Sequence, residues 1–288
     1  MKFKDTFFSK KLTLNIRGSL FELSPPKVMG VLNITPDSFY DGGKYMETAT
    51  IITRVEQLLS EGASFIDIGA YSSRPGAAHI PEDEEYTRLK PVIALIRKRY
   101  PEAVLSIDTF RSGIAKRMVE EFGVDMINDI SAGRMDHEMY ETVASLGVPY
   151  IIMHMQGTPR DMQKKPHYQN VTREILTFFS ERVRELKLLG VNDIIVDPGF
   201  GFGKTLDHNY ELMNQLETFK ILELPVMVGL SRKSMIYKLL KATPSDALNG
   251  TTVLHTVALL KGADILRTHD IREAVEAITI IEKLKEME

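Results

Sequence analysis

Short apolar segments alternate with longer amphipathic segments along almost the whole chain, and this alternation limits the fold more than any other feature. The short segments, rich in β-branched residues, begin at Val28, Phe65, Val104, Met126, Tyr150, Ile194, Val226 and Asp264. The amphipathic segments predict helices over residues 48–61, 82–99, 112–122, 137–146, 171–189, 208–216, 245–260 and 271–285. Strands and helices in strict alternation are typical of an α/β fold with a parallel sheet.

The number and spacing of these units favour a closed barrel. A (β/α)8 TIM barrel takes about 250 residues, whereas an open doubly wound sheet of that length would usually have fewer strands and a glycine fingerprint in its first turn. No linker interrupts the alternation, so we predict a single barrel domain over residues 28–288. Residues 1–27 stand outside the repeat. Within them, residues 12–16 and 20–23 alternate around a turn, which predicts a β-hairpin that closes the amino-terminal end, or bottom, of the barrel.

The composition is typical of a soluble globular enzyme. The chain has 288 residues, of which 43% are hydrophobic and 26% charged, and its formal net charge is −3. No apolar run approaches a membrane span of roughly 18 residues, and the first residues lack the apolar stretch of a secretory signal. We therefore expect a cytoplasmic protein without membrane or nucleic-acid partners. The sequence contains no cysteine, which excludes thiolate metal sites and a cysteine nucleophile.

Polar side chains that can bind ligands stand at the ends of most of these strands. They are Asn33, Asp108, Asn128, Asp129, His154, Asp197 and Arg267. Because the carboxyl ends of the strands in a parallel barrel meet on one face, these side chains are expected to lie close together there. Each Asp or Asn alone could instead cap the following helix. Asp197 is separated from its helix by residues 198–203, and the coincidence over many strands predicts a pocket.

Two segments near the end of the chain have the composition of anion sites. Arg232 and Lys233 follow the seventh strand, and Arg267 and His269 follow the eighth. Barrels of this kind commonly bind phosphate at these two places. Each segment could also be an ordinary start of a helix, but the functional interpretation favours an anionic substrate.

A glycine-rich segment, residues 199–205, resembles a nucleotide-binding loop at first sight. Its glycine spacing is one residue too short for the Walker motif, so it is not a P-loop. We interpret it as a turn in which the backbone passes close to a ligand, with Phe200 or Phe202 as a wall.

The polar segments match the signature motifs of a known family in the same order along the chain. The matching segments are residues 32–39, 73–76, 106–109, 127–130, 153–157, 197–204, 231–234 and 267–269. On these motifs the chain, from Val28 to its end, resembles the dihydropteroate synthase family. The resemblance implies a TIM barrel that joins 6-hydroxymethyl-7,8-dihydropterin pyrophosphate to para-aminobenzoate by a dissociative route, forming 7,8-dihydropteroate and releasing pyrophosphate.

The resemblance also implies roles for individual residues and a homodimer formed through the helices at 245–260 and 271–285. The implied pterin-binding residues are Asp108, Asn128, Asp197, Lys233 and Arg267. The implied diphosphate-binding residues are Asn33, Ser73, Arg74, Arg267 and His269, with Asn33 also a ligand of a Mg²⁺ cofactor. The implied para-aminobenzoate-binding residues are Phe39, Arg74, Pro75, Phe202, Lys233 and Ser234. The implied catalytic residues are Asp108, Lys233 and Asp41.

One motif departs from the family, and two other functions stay open. Where the family usually has Gly-Glu-Ser-Thr, this chain reads Ala-Tyr-Ser-Ser over residues 70–73, so Tyr71 replaces a carboxylate. A pterin-binding methyltransferase that serves a corrinoid protein would share the barrel and the pterin residues, but it has no use for the anion sites. A non-catalytic pterin carrier would be expected to have lost Asp108, Asp197, Lys233 or Arg267, and all are present.

Overall fold

The computed structural model describes residues 12–34, 43–72 and 79–287, with the side chains of residues 43–48 left out. The strands are β1 (Thr13–Ile16), β2 (Ser19–Glu22), β3 (Lys27–Asn33), β4 (Phe65–Gly69), β5 (Leu105–Asp108), β6 (Met126–Asp129), β7 (Tyr150–Met153), β8 (Ile194–Asp197), β9 (Met227–Gly229) and β10 (Ile265–Thr268). The α-helices are α1 (Gly43–Ser60), α2 (Glu82–Arg99), α3 (Ser112–Phe122), α4 (Met139–Leu146), α5 (Val171–Leu188), α6 (Leu206–Asn214), α7 (Ser234–Leu239), α8 (Leu248–Leu260) and α9 (Ile271–Lys285). Two 3-10 helices span Leu216–Leu222 and Ser245–Ala247.

The eight strands β3 to β10 form one parallel sheet that curls into a barrel. Their order is β8-β7-β6-β5-β4-β3-β10-β9. The two ends of this order meet through a parallel bridge between Val196 and Val226, where the Val196 N–H donates to Pro225 O at 3.0 Å. Helices lie between successive strands and cover the outside, so the predicted (β/α)8 architecture is confirmed.

The hairpin of β1 and β2 closes the bottom of the barrel, as predicted. Arg17 and Gly18 form its turn with positive φ angles of 53° and 81°, the left-handed pair that a two-residue hairpin loop requires. Its buried side chains pack against the first interior residues of the strands. This apolar layer consists of Leu14, Ile16, Leu23, Met29, Phe65, Met126, Ile151, Ile195, Met227 and Ile265. The division into residues 1–27 and 28–288 stays a prediction.

The alternation of side chains along each strand separates an apolar lower interior from a polar upper one. In β4, Phe65 belongs to the apolar layer, and Asp67, two residues further on, therefore points into the same interior at a higher level. Ser106 of β5 pairs in register with Asp67 and lies at that level. Residues beyond this level stand at the rim formed by the carboxyl ends of the strands. The lower interior of the barrel is thus filled with apolar side chains, and the upper interior is polar.

The helix bounds differ from the predicted ones where local geometry is irregular. The segment predicted as one helix from residue 245 begins as a 3-10 turn and becomes α8 only at Leu248. The helix predicted to run to residue 216 ends at Asn214 and is followed by a 3-10 helix. A helix start after the seventh strand was expected and is confirmed as α7, but its extent was not predicted, because six residues are too few for a periodic pattern. None of the described helices combines the length and the apolar character that a membrane crossing needs.

A buried carboxylate ties the hairpin to the body of the barrel. Asp125, at the start of β6, accepts hydrogen bonds from Arg17 of the hairpin turn, from Arg97 Nη2 of α2 at 2.9 Å and from the Leu105 N–H at 2.8 Å. Its side chain is 1% exposed, while that of Arg17 is 39% exposed. The carboxylate therefore satisfies donors from three separate elements, and its loss leaves them without their anion.

We expect Asp125→Ala to lower the free energy of unfolding by about 3 kcal/mol, near the lower end for breaking a buried ion pair because both guanidinium groups keep some solvent. Arg17→Ala should cost only about 1 kcal/mol, since Arg97 still neutralises the carboxylate. Denaturant unfolding of both variants measures the difference. Equal losses would contradict a central role for Asp125 in holding the hairpin.

Candidate functional site

The carboxylate of Asp67 is the centre of a polar cluster in the upper interior. Its Oδ2 accepts hydrogen bonds from Arg267 Nε at 2.7 Å and from Asn128 Nδ2 at 2.9 Å. The guanidinium of Arg267 extends beyond it and donates from Nη2 to Asp108 Oδ2 at 2.8 Å. Strands β4, β5, β6 and β10 therefore each contribute one side chain to a continuous network.

Burial changes the protonation behaviour of this network. It raises the pKa of Asp108 to about 7, with Asp67 and other carboxylates adding to the rise and Arg267 opposing it. Burial alone would lower the pKa of Arg267, but the neighbouring charges of Asp67 and Asp108 more than offset it and raise that pKa. Arg267 thus stays cationic, whereas Asp108 can change its charge near neutral pH.

Asp197 and Lys233 form the other side of the same pocket. Asp197 Oδ1 accepts from the Gly199 N–H at 2.7 Å, and Lys233 Nζ donates to Phe200 O and lies 4.8 Å from the centre of the Phe202 ring. A Cβ at Gly229 would lie 3.8 Å from Lys233 Nζ and 4.0 Å from Asp197 Oδ2. Both groups therefore face the strand next to Arg267, because Gly229 pairs in register with that residue.

The charges of Asp197 and Lys233 are coupled across this gap. Burial raises the pKa of Asp197, opposed first by Lys233 and then by the hydrogen bond from Gly199. Burial lowers the pKa of Lys233 to about 8, with Asp197 opposing the change and Arg267 adding to it. The structure thus brings the five predicted pterin-binding residues to one pocket: Asp108, Asn128, Asp197, Lys233 and Arg267.

The remaining described site residues lie at the rim. Asn33 ends β3, is half-buried and pairs in register with Gly69, which in turn pairs with Asp108. His269 is exposed just after β10, and its backbone N–H donates to Ser231 Oγ at 3.3 Å. Ser234 is half-buried as the first residue of α7. Five other predicted site residues lie outside the described part of the chain: Phe39, Asp41, Ser73, Arg74 and Pro75.

Arg232 has a different position from the one predicted. Its Nε and Nη2 donate to the two oxygens of Asp270 at 3.0 and 2.9 Å, and its Nη1 donates to Ser245 O at 2.7 Å. The carboxylate balances the charge, and the pair joins the loop after β9 to the start of α9. The structure therefore does not support the expected contribution of Arg232 to an anion site.

A buried lysine holds the glycine-rich turn after β8. Lys204 Nζ donates to Gly199 O at 2.9 Å and to Phe202 O at 3.1 Å, and contacts His154 Nδ1 at 3.1 Å. Burial lowers the pKa of Lys204 to about 7, with Asp197 opposing the change, and burial followed by Lys204 lowers that of His154. A Cβ on Gly199 would lie 2.0 Å from His154 O. The predicted turn is confirmed, and the close approach is to the end of β7.

Tyr71, which replaces the carboxylate usual in the family, is accommodated by aromatic and cationic neighbours. Its ring meets that of Phe110 edge-on at 5.0 Å, and the guanidinium carbon of Arg111 lies 5.6 Å from its centre. Arg111 is itself paired with the fully buried Glu85. A cation therefore lies over the aromatic ring at this position.

Asp67 is the residue that the sequence interpretation missed. The predicted polar residues stand at or after the ends of strands, whereas Asp67 stands in the middle of β4, within the run Phe-Ile-Asp-Ile-Gly. A charged residue inside an otherwise apolar strand is the signal that could have identified it, because a buried charge needs a partner. Among the described residues, no group of three His, Asp or Glu side chains could hold a metal ion.

Comparison with known proteins gives consistent matches over nearly the whole chain. The family described as "Pterin binding enzyme" matches residues 29–269. Dihydropteroate synthase of Escherichia coli is 39% identical over 273 residues, which cover 94% of this chain and 96% of that protein. A crystal structure of Yersinia pestis dihydropteroate synthase with a sulfonamide drug complex has a TM-score of 0.88 at 39% identity, covering 95% of this chain and 99% of that one.

A second solved structure agrees with the first. Xanthomonas albilineans dihydropteroate synthase in complex with 7,8-dihydropteroate has a TM-score of 0.84 at 34% identity, and the alignment covers 95% of this chain and 98% of that one. The family match over residues 29–269 includes the segments that form the pocket. The chain therefore belongs to the dihydropteroate synthase family of pterin-binding enzymes.

Proposed function

We propose that this protein joins 6-hydroxymethyl-7,8-dihydropterin pyrophosphate to para-aminobenzoate, forming 7,8-dihydropteroate and releasing pyrophosphate. The observation that carries the proposal is the arrangement of Asp108, Asn128, Asp197, Lys233 and Arg267 around one pocket. The relatives and solved structures named dihydropteroate synthase support the same reaction.

The pocket offers complementary groups for a flat heterocycle. A pterin presents amino and ring N–H donors together with carbonyl and ring-nitrogen acceptors along its edges, and Asn128, Asp197 and Lys233 offer the matching acceptors and donors. An analogue that lacks one of these groups leaves a buried polar atom unpaired, which is a strong basis for discrimination. The guanidinium of Arg267, fixed by carboxylates on two sides, lies against the ring face in this proposal.

In the first chemical step, the bond between the pterin CH₂ group and the diphosphate oxygen breaks, and the electron pair leaves with the oxygen. The positive charge left on the CH₂ group is delocalised into the electron-rich ring. Ionised Asp108 stabilises this cation, while Arg267 and His269 stabilise the leaving oxygen. Both effects act where charge develops in the transition state, which is where they accelerate a reaction. The predicted roles of Ser73, Arg74 and Asp41 belong to this step.

In the second step, the amine nitrogen of para-aminobenzoate attacks the CH₂ cation, and the new C–N bond forms as the nitrogen loses a proton. The Phe202 ring, half-buried at the rim beside Lys233, forms one wall for the benzoate ring. Phe39, Pro75 and Arg74 are proposed as further contacts. Ser234, first residue of α7, is the proposed partner of the carboxylate.

A Mg²⁺ ion fits the oxygen donors of this site. Asn33 presents an amide at the end of β3, half-buried and at the rim, where the diphosphate is proposed to bind. Mg²⁺ keeps several waters and often takes only one or two protein ligands, so Asn33 together with substrate oxygens is sufficient. When bound, the ion would neutralise charge on the diphosphate.

Pyrophosphate release measured with and without para-aminobenzoate tests the proposed reaction. We expect release that depends on the arylamine and on Mg²⁺, and a fall in kcat of about 100-fold to 1000-fold in Asp108→Ala, because the cation loses its counter-charge. Lys233→Ala should lose turnover and pterin affinity. Lys238→Ala is the matched control, because Lys238 lies exposed on α7, the short helix that begins directly after Lys233.

Two outcomes would contradict the proposal. Methyl transfer from a reduced folate to a corrinoid protein, without pyrophosphate release, would identify the methyltransferase alternative. Tight pterin binding with no turnover in the presence of both substrates and Mg²⁺ would identify a carrier. Loss of affinity alone in Asp108→Ala and Lys233→Ala would mean that the two residues bind substrate without acting in the chemical steps.

The raised pKa of Asp108 predicts a pH dependence. The carboxyl group is neutral below about pH 7 and charged above it, so kcat/KM, which reports the free enzyme, should fall as the pH decreases through about 7. Asp108→Asn should have lower activity and no such acidic limb. If kcat/KM of Asp108→Asn still falls over the same pH range, the fall is due to ionisation of the diphosphate substrate instead.

We further propose a homodimer that assembles through α8 and α9 and functions in the cytoplasm. These helices pack against each other, and Val253 and Leu260 on α8 and Ile280 and Leu284 on α9 are all more than half exposed. Exposed apolar side chains on neighbouring helices are typical of an interface. Recovery of the activity in a membrane fraction of the source cells would contradict the proposed location.

Sedimentation tests the dimer. We expect a dimer for the wild type and a monomer for Ile280→Glu, because a charge at the centre of an apolar interface is costly to desolvate. Leu188→Glu is the matched control, since Leu188 is 78% exposed but lies on α5. A wild-type monomer at micromolar concentration, or dissociation by Leu188→Glu alone, would overturn this interface.

A further inference from the structure

Two of the proposed pterin-binding groups are held by one carboxylate that does not itself reach the rim. Asp67 is fully buried, and its Oδ2 accepts hydrogen bonds from both Arg267 Nε at 2.7 Å and Asn128 Nδ2 at 2.9 Å. Its Oδ1 has no hydrogen-bond partner among the described residues. Asp67 therefore orients the side chains of Arg267 and Asn128.

Arg267 is shared between two carboxylates of different exposure. Its Nε and Nη2 both lie 2.7 Å from Asp67 Oδ2, and Nη2 also lies 2.8 Å from Oδ2 of Asp108, whose side chain is 20% exposed. With both anions present, the guanidinium makes one contact with Asp108, to Oδ2, and no two-oxygen pair. If the charge of Asp67 were lost, Asp108 would be the anion left in direct contact with Arg267, and the two would pair fully.

The other carboxylates near Asp108 have partners of their own. Glu85 is paired with Arg111 and accepts from Thr109 Oγ1 at 2.7 Å. Asp129 accepts from the Ser131 N–H and Oγ, from the Gly133 N–H and from Tyr150 Oη, each at 2.7 Å. Among the described residues that act on Asp108, Asp67 is thus the one carboxylate that competes for the same cation.

We propose that Asp67 is a positioning residue: its negative charge limits Arg267 to one contact with Asp108, so that the other oxygen of Asp108 stays available to stabilise the pterin cation. The same carboxylate directs the amide of Asn128, because a donated N–H to Asp67 turns the carbonyl oxygen away from it and towards the remainder of the pocket. This inference rests on the proposed function and adds to it a residue that does not touch the reacting atoms.

The variant Asp67→Asn keeps the size of the side chain and removes its charge. Arg267 should then pair fully with Asp108, and two changes should follow. kcat should fall at least about tenfold, while KM for para-aminobenzoate stays within about twofold. The acidic limb of kcat/KM should move to lower pH by one unit or more, because Asp108 gains an undivided cation and loses a neighbouring negative charge. A loss of packing alone would not move this limb.

Two buried neighbours serve as controls. Ser106→Ala removes a buried hydroxyl that pairs in register with Asp67 but has no hydrogen-bond partner among the described residues. Asp129→Asn removes a fully buried carboxylate on β6 that contacts neither Arg267 nor Asn128. Ser106→Ala should keep the acidic limb where it is in the wild type. Asp129→Asn removes a more distant negative charge without releasing Arg267, so it should move the limb to lower pH by clearly less than Asp67→Asn does, even where it lowers the melting temperature.

A wild-type position of the limb in folded Asp67→Asn, or an equal displacement in Asp129→Asn, would overturn the inference. Should Asp67→Asn fail to fold, Arg267→Lys tests the same contacts, since one ammonium group replaces the two donors that face Asp67 and Asp108. The limb should then move to higher pH, and an unchanged limb would overturn the inference. If the wild type itself releases no pyrophosphate, the proposed function fails, whereas wild-type turnover with an unmoved limb defeats only the role of Asp67.

Discussion

The burial of several charges inside one barrel is the constraint on which the rest of the structure depends. A carboxylate in the interior is costly unless a cation or hydrogen-bond donors accompany it, and Asp67 meets this condition through Arg267, 200 positions later in the sequence. These residues belong to β4 and β10, which both flank β3, so they meet only when the sheet has closed around it. The fold and the pocket thus form together, because the charges of the pocket are satisfied only in the finished barrel.

The lower end of the barrel contributes mainly to stability, and the upper end carries the groups suited to chemistry. At the bottom, the hairpin and an apolar layer exclude water, and the buried carboxylate of Asp125 is bound by donors from three elements. At the top, the carboxylate of Asp108 and the ammonium of Lys233 have pKa values moved by burial towards the neutral range. Groups in this range can change their protonation state at little cost, which is typical of functional sites rather than of structural ion pairs.

The sequence predicted the parts of the molecule that depend on local pattern. Short apolar strands, the hairpin turn and the polar residues that end the strands all follow from neighbours within a few positions, and so the barrel and the meeting of Asp108, Asn128 and Asp197 could be foreseen. Contacts between distant segments could not. The sequence predicted Arg232 to be a free cation, because no residue near it in sequence indicates its contact with Asp270, 38 positions away. Asp67 was not predicted for a related reason, because its partners lie on other strands.

The residues that no pattern could place are those whose role depends on competition between partners. Whether an arginine is committed to one carboxylate or shared between two is decided by distances in the folded state, and the chain shows both outcomes at the neighbouring strands β9 and β10. Arg232 is committed to Asp270, whereas Arg267 divides its donors between Asp67 and Asp108. Similar side chains after neighbouring strands therefore have different chemistry.

The closed lower end of the barrel also determines the route by which ligands enter and leave. Within the described structure, the hairpin and the layer above it leave the rim as the way in and out, so a molecule held deep in the barrel can depart only past whatever occupies the mouth. A compound lodged beside Phe202 and Lys233 would then lengthen the residence of the ligand beneath it. A ligand bound at the rim would therefore slow the dissociation of a ligand bound deeper in the barrel.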